Sequence, residues 1–176
     1  IMPILNKRLI KAAEMLGDVK SVADIGTDHA FLPIYLIREG ICERVIACDI
    51  AEGPLSVAAT NITKYGLLEK IELRLADGLK GLKPMEVRGI TILGMGGETI
   101  ADIIQDAPWV KNPEITLILQ PMSCDDRLRE YLHKNGFEIE KEEAVESQSR
   151  LYTVMRVRFS GVIMTVGPEY KYIGKL

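Results

Sequence analysis

Histidine and cysteine are scarce in this chain of 176 residues, which holds two of the first and three of the second. Cys42, Cys48 and Cys124 form no CxxC pair, and each sits in or beside an apolar segment. That excludes a disulfide framework and a zinc-ligand spacing. The thiols are therefore read as reduced, in keeping with a cytoplasmic protein, and no metal is expected. No apolar run approaches the ~20 residues of a membrane span. The opening IMPILNKRLIKAAEML also lacks the charged start, apolar block and cleavage site of a signal peptide, so no membrane partner is expected. A net charge of −3 denies the chain a bulk basic signature and leaves attraction to nucleic acid to local patches. Internal repeats and low-complexity segments are absent.

What is present is a globular composition, 47% apolar and 27% charged, long enough for one sizeable core. Leu5, Leu9, Ala12, Ala13 and Leu16 recur at helical spacing, with Lys7, Arg8 and Lys11 on the outer side. Strand-like and helix-like segments then alternate. SVADIG, RVIACDI, KIELRLADG, GITILGMGG and ITLILQP read as strands. AFLPIYLIREG, GPLSVAATNITKYG, Glu98 to Asp106 and CDDRLREYLHKNG read as helices, with Pro33 and Pro54 tolerated in first turns. The chain closes with two successive alternating strands, FEIEKEEAVESQSRLYTVMRVRFSG. Repeated βα units, read as five, imply a mostly parallel sheet with helices on both faces. The terminal pair adds an antiparallel hairpin, for a Rossmann-like α/β fold of seven strands. His133, late in its helix, is read as structural.

Ligands of open α/β sheets sit outside the carboxyl ends of the strands, so the residues there carry the chemistry. The first strand ends in VADIGTDHAF, Val22 to Phe31. Gly26 suits a tight turn, but Asp28 and Ala30 stand where a dinucleotide loop uses glycine, and Asp28 would repel a pyrophosphate. A sulfonium cofactor with an amino-acid tail reverses that logic, because its cationic groups favour carboxylates such as Asp24 and Asp28. Asp28 would also serve as a plain helix cap. Asp49, after the second strand, can accept two ribose hydroxyls. Asp77 and Gly78, after the third, suit an adenine amine or a simple Asp-Gly turn. Gly94, Met95, Gly96 and Gly97 allow close backbone approach, and Gln120 at the fifth tip offers donor and acceptor to a base edge.

Taken together, ADIGTDHAFLPI, ILGMGG, LILQP and RLYTVMRV resemble the bacterial tRNA methyltransferases that modify N1 of adenine 22. The resemblance runs from about Leu5 to Gly161. It implies a class I fold using S-adenosyl-L-methionine, with tRNA as partner. Gly26, Asp28 and His29 fall on the family's first motif, Asp49 on its ribose position and Gly94–Gly97 near the transfer centre. On this reading Asp28 stabilises the cationic product, and His29 orients the base or takes a proton from its amine. Gln120 contacts the base, Phe31 stacks on it, and Lys7, Arg8 and Lys11 meet phosphates. Met122 replaces a usual Asn, Phe31 a usual Tyr, and Leu151-Tyr152-Thr153 a usual FYE. Relatives continue into a helical tRNA-gripping domain. Residues 1–161 are thus expected to form the methyltransferase domain, and 162–176 a linker or the truncated start of the next. A methyltransferase acting on a small molecule or protein, and a non-catalytic RNA- or nucleotide-binding module, are the alternatives.

Overall fold

The structure, a computed structural model, describes residues 3–173; residues 1–2 and 174–176, the outer ends of the two expected units, lie outside the described residues. Helix α1 (Lys7–Leu16) begins where the Asn6 side chain accepts a hydrogen bond from the Leu9 amide, 3.0 Å, satisfying one otherwise orphaned donor. It ends at Gly17, whose φ of 66° lies in the left-handed region. Then follow β1 (Ser21–Ile25), α2 (Phe31–Arg38), β2 (Arg44–Asp49), α3 (Glu52–Lys64) and β3 (Ile71–Leu75). Strand β4 (Gly89–Met95), α4 (Gly97–Gln105), β5 (Thr116–Pro121) and α5 (Asp125–Lys134) continue the alternation. Strands β6 (Phe137–Ser147) and β7 (Arg150–Phe159) form the closing hairpin, and α6 (Pro168–Ile173) ends the described chain.

The strands make one seven-stranded sheet in the order β3-β2-β1-β4-β5-β7-β6. Pairing is parallel from β3 through β5, whereas β7 runs antiparallel to both β5 and β6. Side-chain alternation divides each central strand between two cores. Val22, Val45, Ala47 and Ile118 pack with Ala12 and Leu16 of α1, Ile34 and Leu36 of α2, and Ala58 and Ile62 of α3. Ala23, Ile25, Ile46, Ile90, Ile92, Leu117 and Leu119 pack with Ile100 and Ile104 of α4 and Leu128 and Leu132 of α5. Both faces of β1, β2, β4 and β5 are covered, which is why those strands read as continuous apolar runs, whereas the edge strand β3 alternates.

One expectation needs correction. No helix joins β3 to β4, so the βα units number one fewer than the alternation implied. Gly78, with φ +57°, and Pro84 interrupt the segment, while Leu79, Leu82 and Val87 bury themselves in the core as a helix face would. In the segment expected as a linker or the start of a further unit, residues 168–173 form a helix. Helix α6 docks on α5: Arg129 Nη1 donates to the Lys171 carbonyl at 2.8 Å, Lys171 Nζ pairs with Glu130 at 3.0 Å, and the His133 and Tyr170 rings meet edge to face at 5.2 Å.

Candidate active site

The chain order reverses between the adjacent strands β1 and β4, and ligand clefts of such sheets form at that reversal. A cleft of about 380 Å³ lies there, walled by the start of α1, the β1–α2 loop, the first turn of α2 and the end of β4. Arg8, Asp24, Gly26, Asp28, His29, Phe31 and Gly94 all line it, so seven of the residues chosen from the sequence share one space.

The loop after β1 is tied to β2, because the amides of Gly26 and Thr27 both donate to the Cys48 carbonyl at 2.9 Å. Gly26 has φ 73°, and non-glycine Asp28 and Ala30 also sit at positive φ, 54° and 59°. That backbone is costly for a residue with a Cβ and persists only when its surroundings hold it. Three bonds do so here: Asp49 Oδ2 accepts from the Asp28 amide at 3.1 Å, Thr27 O from the Ala30 amide at 3.0 Å, and His29 O from Asn61 Nδ2 at 2.9 Å. The loop thus takes left-handed turns without the glycines that usually supply them.

Asp24 is buried beneath this loop and accepts a 2.6 Å hydrogen bond from the Thr91 hydroxyl. Burial pushes its carboxyl above the ordinary range, and the Thr91 bond opposes that rise. Asp49 uses one lone pair of each oxygen on a backbone amide, Oδ2 on Asp28 of the loop and Oδ1 on Ala51 before α3, both at 3.1 Å. A carboxylate oxygen has a second lone pair, so Asp49 keeps acceptor capacity on both. His29 and Asp28 are exposed, with His29 Nε2 3.5 Å from Asp28 Oδ1 and the His29 ring edge-on to Phe31 at 5.5 Å.

Other chosen residues take different places. Asp77 and Gly78 line a second cleft of about 280 Å³, where Lys80 pairs with Asp77 at 2.6 Å. The Ala76 amide donates to the Asp49 carbonyl at 2.9 Å, which joins the tips of β2 and β3. Gly97 is buried where α4 meets the β5–α5 loop, and its amide donates to the Ser123 carbonyl at 2.7 Å. A Cβ there would overlap the Cys124 backbone carbonyl, so this glycine serves close packing, while Gly94 faces the cleft. Gly97→Ala is expected to cost about 1–3 kcal/mol in urea unfolding; unchanged stability would refute that reading. Met95 lies under the loop, its Cε beside Gly26. Lys7 is exposed, whereas Lys11 is held between Glu14 at 2.9 Å and Glu143 at 2.7 Å. Among the described residues no group of three or more His, Cys, Asp or Glu could hold a metal ion, and no helix is long and apolar enough to cross a membrane.

Sequence reasoning passed over Asn6, Thr91 and Asn61, which set the first turn of α1, hold Asp24 and hold the loop, and it named Tyr152 only as part of the closing motif, not as the ring under Arg8. Of these only Asn6 carried a local signal, an Asn directly before an apolar helical period.

A mostly parallel sheet closed by an antiparallel pair, with acids at successive strand ends around the order reversal, defines a Rossmann-like protein of the class I methyltransferase type. Residues 5–155 match the family described as "Methyltransferase domain". The chain is 36% identical over 151 residues to the tRNA (adenine(22)-N(1))-methyltransferase of Bacillus subtilis (strain 168), covering 86% of this chain and 63% of that protein's length. The crystal structure of the B. subtilis M1A22 tRNA methyltransferase TrmK superposes with a TM-score of 0.84 at 35% identity, over 89% of this chain and 67% of that one. M. capricolum TrmK in complex with S-adenosyl-homocysteine gives 0.85 at 28% identity, over 96% and 75%. The chain belongs to the methyltransferase-domain family and is a TrmK-like member of it.

Proposed function

We propose that this protein transfers a methyl group from S-adenosyl-L-methionine to N1 of an adenine in tRNA, at position 22 as its curated B. subtilis relative is named, and that it works in the cytoplasm. The observation that carries this reading is the donor set of the cleft. Asp24 and Asp28 line it, and Asp49 is bonded to its loop. The loop amides of Gly26 and Thr27 are already spent on the Cys48 carbonyl, so the loop offers no backbone cradle for a phosphate. Such a set disfavours a pyrophosphate and fits a ligand bearing an ammonium, a sulfonium and a ribose.

In that fit Asp49 takes the ribose hydroxyls through its remaining lone pairs, Asp24 and Asp28 face the cationic tail, and Gly26 and Gly94 give the backbone room. Asp77, which lines the neighbouring cleft and pairs with Lys80, would take the adenine amine only once that pair opens. The cofactor supplies an electrophilic methyl group when bound. Adenine N1 carries an in-plane lone pair, so the enzyme needs no covalent nucleophile. N1 lies on the Watson–Crick edge, so the target base must be unpaired or flipped before it enters. The chain's own contribution is then positioning, plus stabilisation of the positive charge that passes to the ring. Phe31 offers a stacking face, and Asp28 with His29 stands beside it at the mouth. Asp28 can balance the charge of the methylated base, and His29 can orient that base or accept a proton from its amine.

Labelled methyl transfer to unmodified tRNA, followed by mapping of the modified atom, tests the proposal. Label at N1 of adenine 22 is the expected result. Transfer only to metabolites or proteins, or binding of tRNA without turnover, would replace it with one of the alternatives.

A further inference from the structure

The sequence assigns Gln120 to a base edge and Arg8 to phosphates as separate contacts, but the fold joins them. Gln120 is completely buried at the end of β5. Its Oε1 accepts from Arg8 Nη1 at 2.7 Å and from the Gly94 amide at 3.2 Å, while its Nε2 donates to the Pro121 carbonyl at 2.8 Å. Both lone pairs of that amide oxygen are in use, so none is left for a base. Arg8 is held further by Met122, whose Sδ lies 3.4 Å from the same Nη1, and by the Tyr152 ring, 5.0 Å from the guanidinium carbon.

A half-buried arginine usually sits beside an acid. Among the described residues Arg8 makes no ion pair, and no hydrogen bond engages its Nε or Nη2. A fixed guanidinium with unspent donors therefore forms part of the cleft wall. We propose that Gln120 is a positioning residue which, with the Tyr152 ring, holds Arg8 as a receptor for an oxyanion of the ligand in the cleft. The identity of that oxyanion rests on the methyltransferase reading. It is the carboxylate of the cofactor's amino-acid tail or a phosphate of the target nucleotide, since each presents paired oxygens to a guanidinium fork.

The positioning role is tested in the free protein. The Arg8 Nη1–H resonance, assigned by its loss in Arg8→Lys, is expected to be resolved from that of Nη2 in the wild type, where Gln120 holds it, and to be averaged with it by free rotation in Gln120→Leu; an unchanged resonance would overturn it. Calorimetry with S-adenosylhomocysteine, and with methylthioadenosine, which lacks the amino-acid tail, distinguishes the two oxyanions. A carboxylate predicts that Arg8→Met weakens the first about 10- to 100-fold and leaves the second unchanged. A phosphate predicts unchanged cofactor affinity, a raised KM for tRNA and a salt dependence shallower by roughly 0.7–0.9 in log–log slope. If affinity, KM and slope all match the wild type, Arg8 is no receptor. Gln120→Leu is expected to show part of the Arg8→Met loss and to add nothing in that background; full additivity would overturn the coupling. A wild-type protein that neither binds S-adenosylhomocysteine nor transfers methyl groups would sink the methyltransferase reading, and the resonance would still decide the positioning role.

Discussion

Asp49→Ala is expected to weaken S-adenosylhomocysteine binding about 100-fold, read by calorimetry. Two losses combine. The side chain offers a remaining lone pair on each oxygen for ribose hydroxyls, and hydrogen bonds to a charged acceptor contribute about 1.5–3 kcal/mol each. It also anchors the β1–α2 loop through the Asp28 amide, at a residue whose φ of 54° needs outside support. Asp49→Asn separates the two. It keeps the shape and one acceptor oxygen but removes the charge, so an intermediate loss of about tenfold is expected. Binding that stays at the wild-type level in Asp49→Ala would remove Asp49 from the cofactor site.

Arg129→Met is expected to destabilise the fold by about 3–5 kcal/mol in urea unfolding. Arg129 Nε and Glu142 Oε1 are 2.8 Å apart, and their side chains are only 3% and 0% exposed. Removing the guanidinium deprives a buried carboxylate of this counterion, and the low local dielectric makes that costly. The same guanidinium donates to the Lys171 carbonyl, so the docking of α6 loosens too. Arg129→Met combined with Glu142→Leu is expected to recover much of the loss, because a buried pair replaced by apolar groups of similar volume is often near neutral. A single variant within about 1 kcal/mol of wild type, the scale of a surface change, would show that the pair contributes little.

The elements were legible because local pattern reports local burial. Val22, Ile25, Val45 and Ile46 are apolar in consecutive runs because helices cover both faces of their strands. Asn6 starts α1 and Gly17 stops it through bonds and backbone freedom that lie within one turn. The hairpin of β6 and β7 was legible for a related reason, since the solvent-facing Glu138 and Glu140 alternate with the buried Phe137 and Ile139. The count of five βα units failed at the β3–β4 connection, which holds no helix. Leu79, Leu82 and Val87 bury themselves from a chain of turns, and burial alone does not require a helix.

By itself, then, the sequence determined the strands, most of the helices and the acids at the strand ends, because each depends on near neighbours in the chain. Only the tertiary structure decided what those residues do together. Strand order put Arg8 against Gln120, residues far apart in sequence, and left the amide no free acceptor. Packing of α4 against the β5–α5 loop turned Gly97 into a close-contact residue, and β6 brought Glu143 to Lys11. The loop VADIGTDHAF shows both halves. Its acids were visible at once, but the left-handed turns at Asp28 and Ala30 are held from outside by Asp49 and Asn61, which the sheet and α3 deliver.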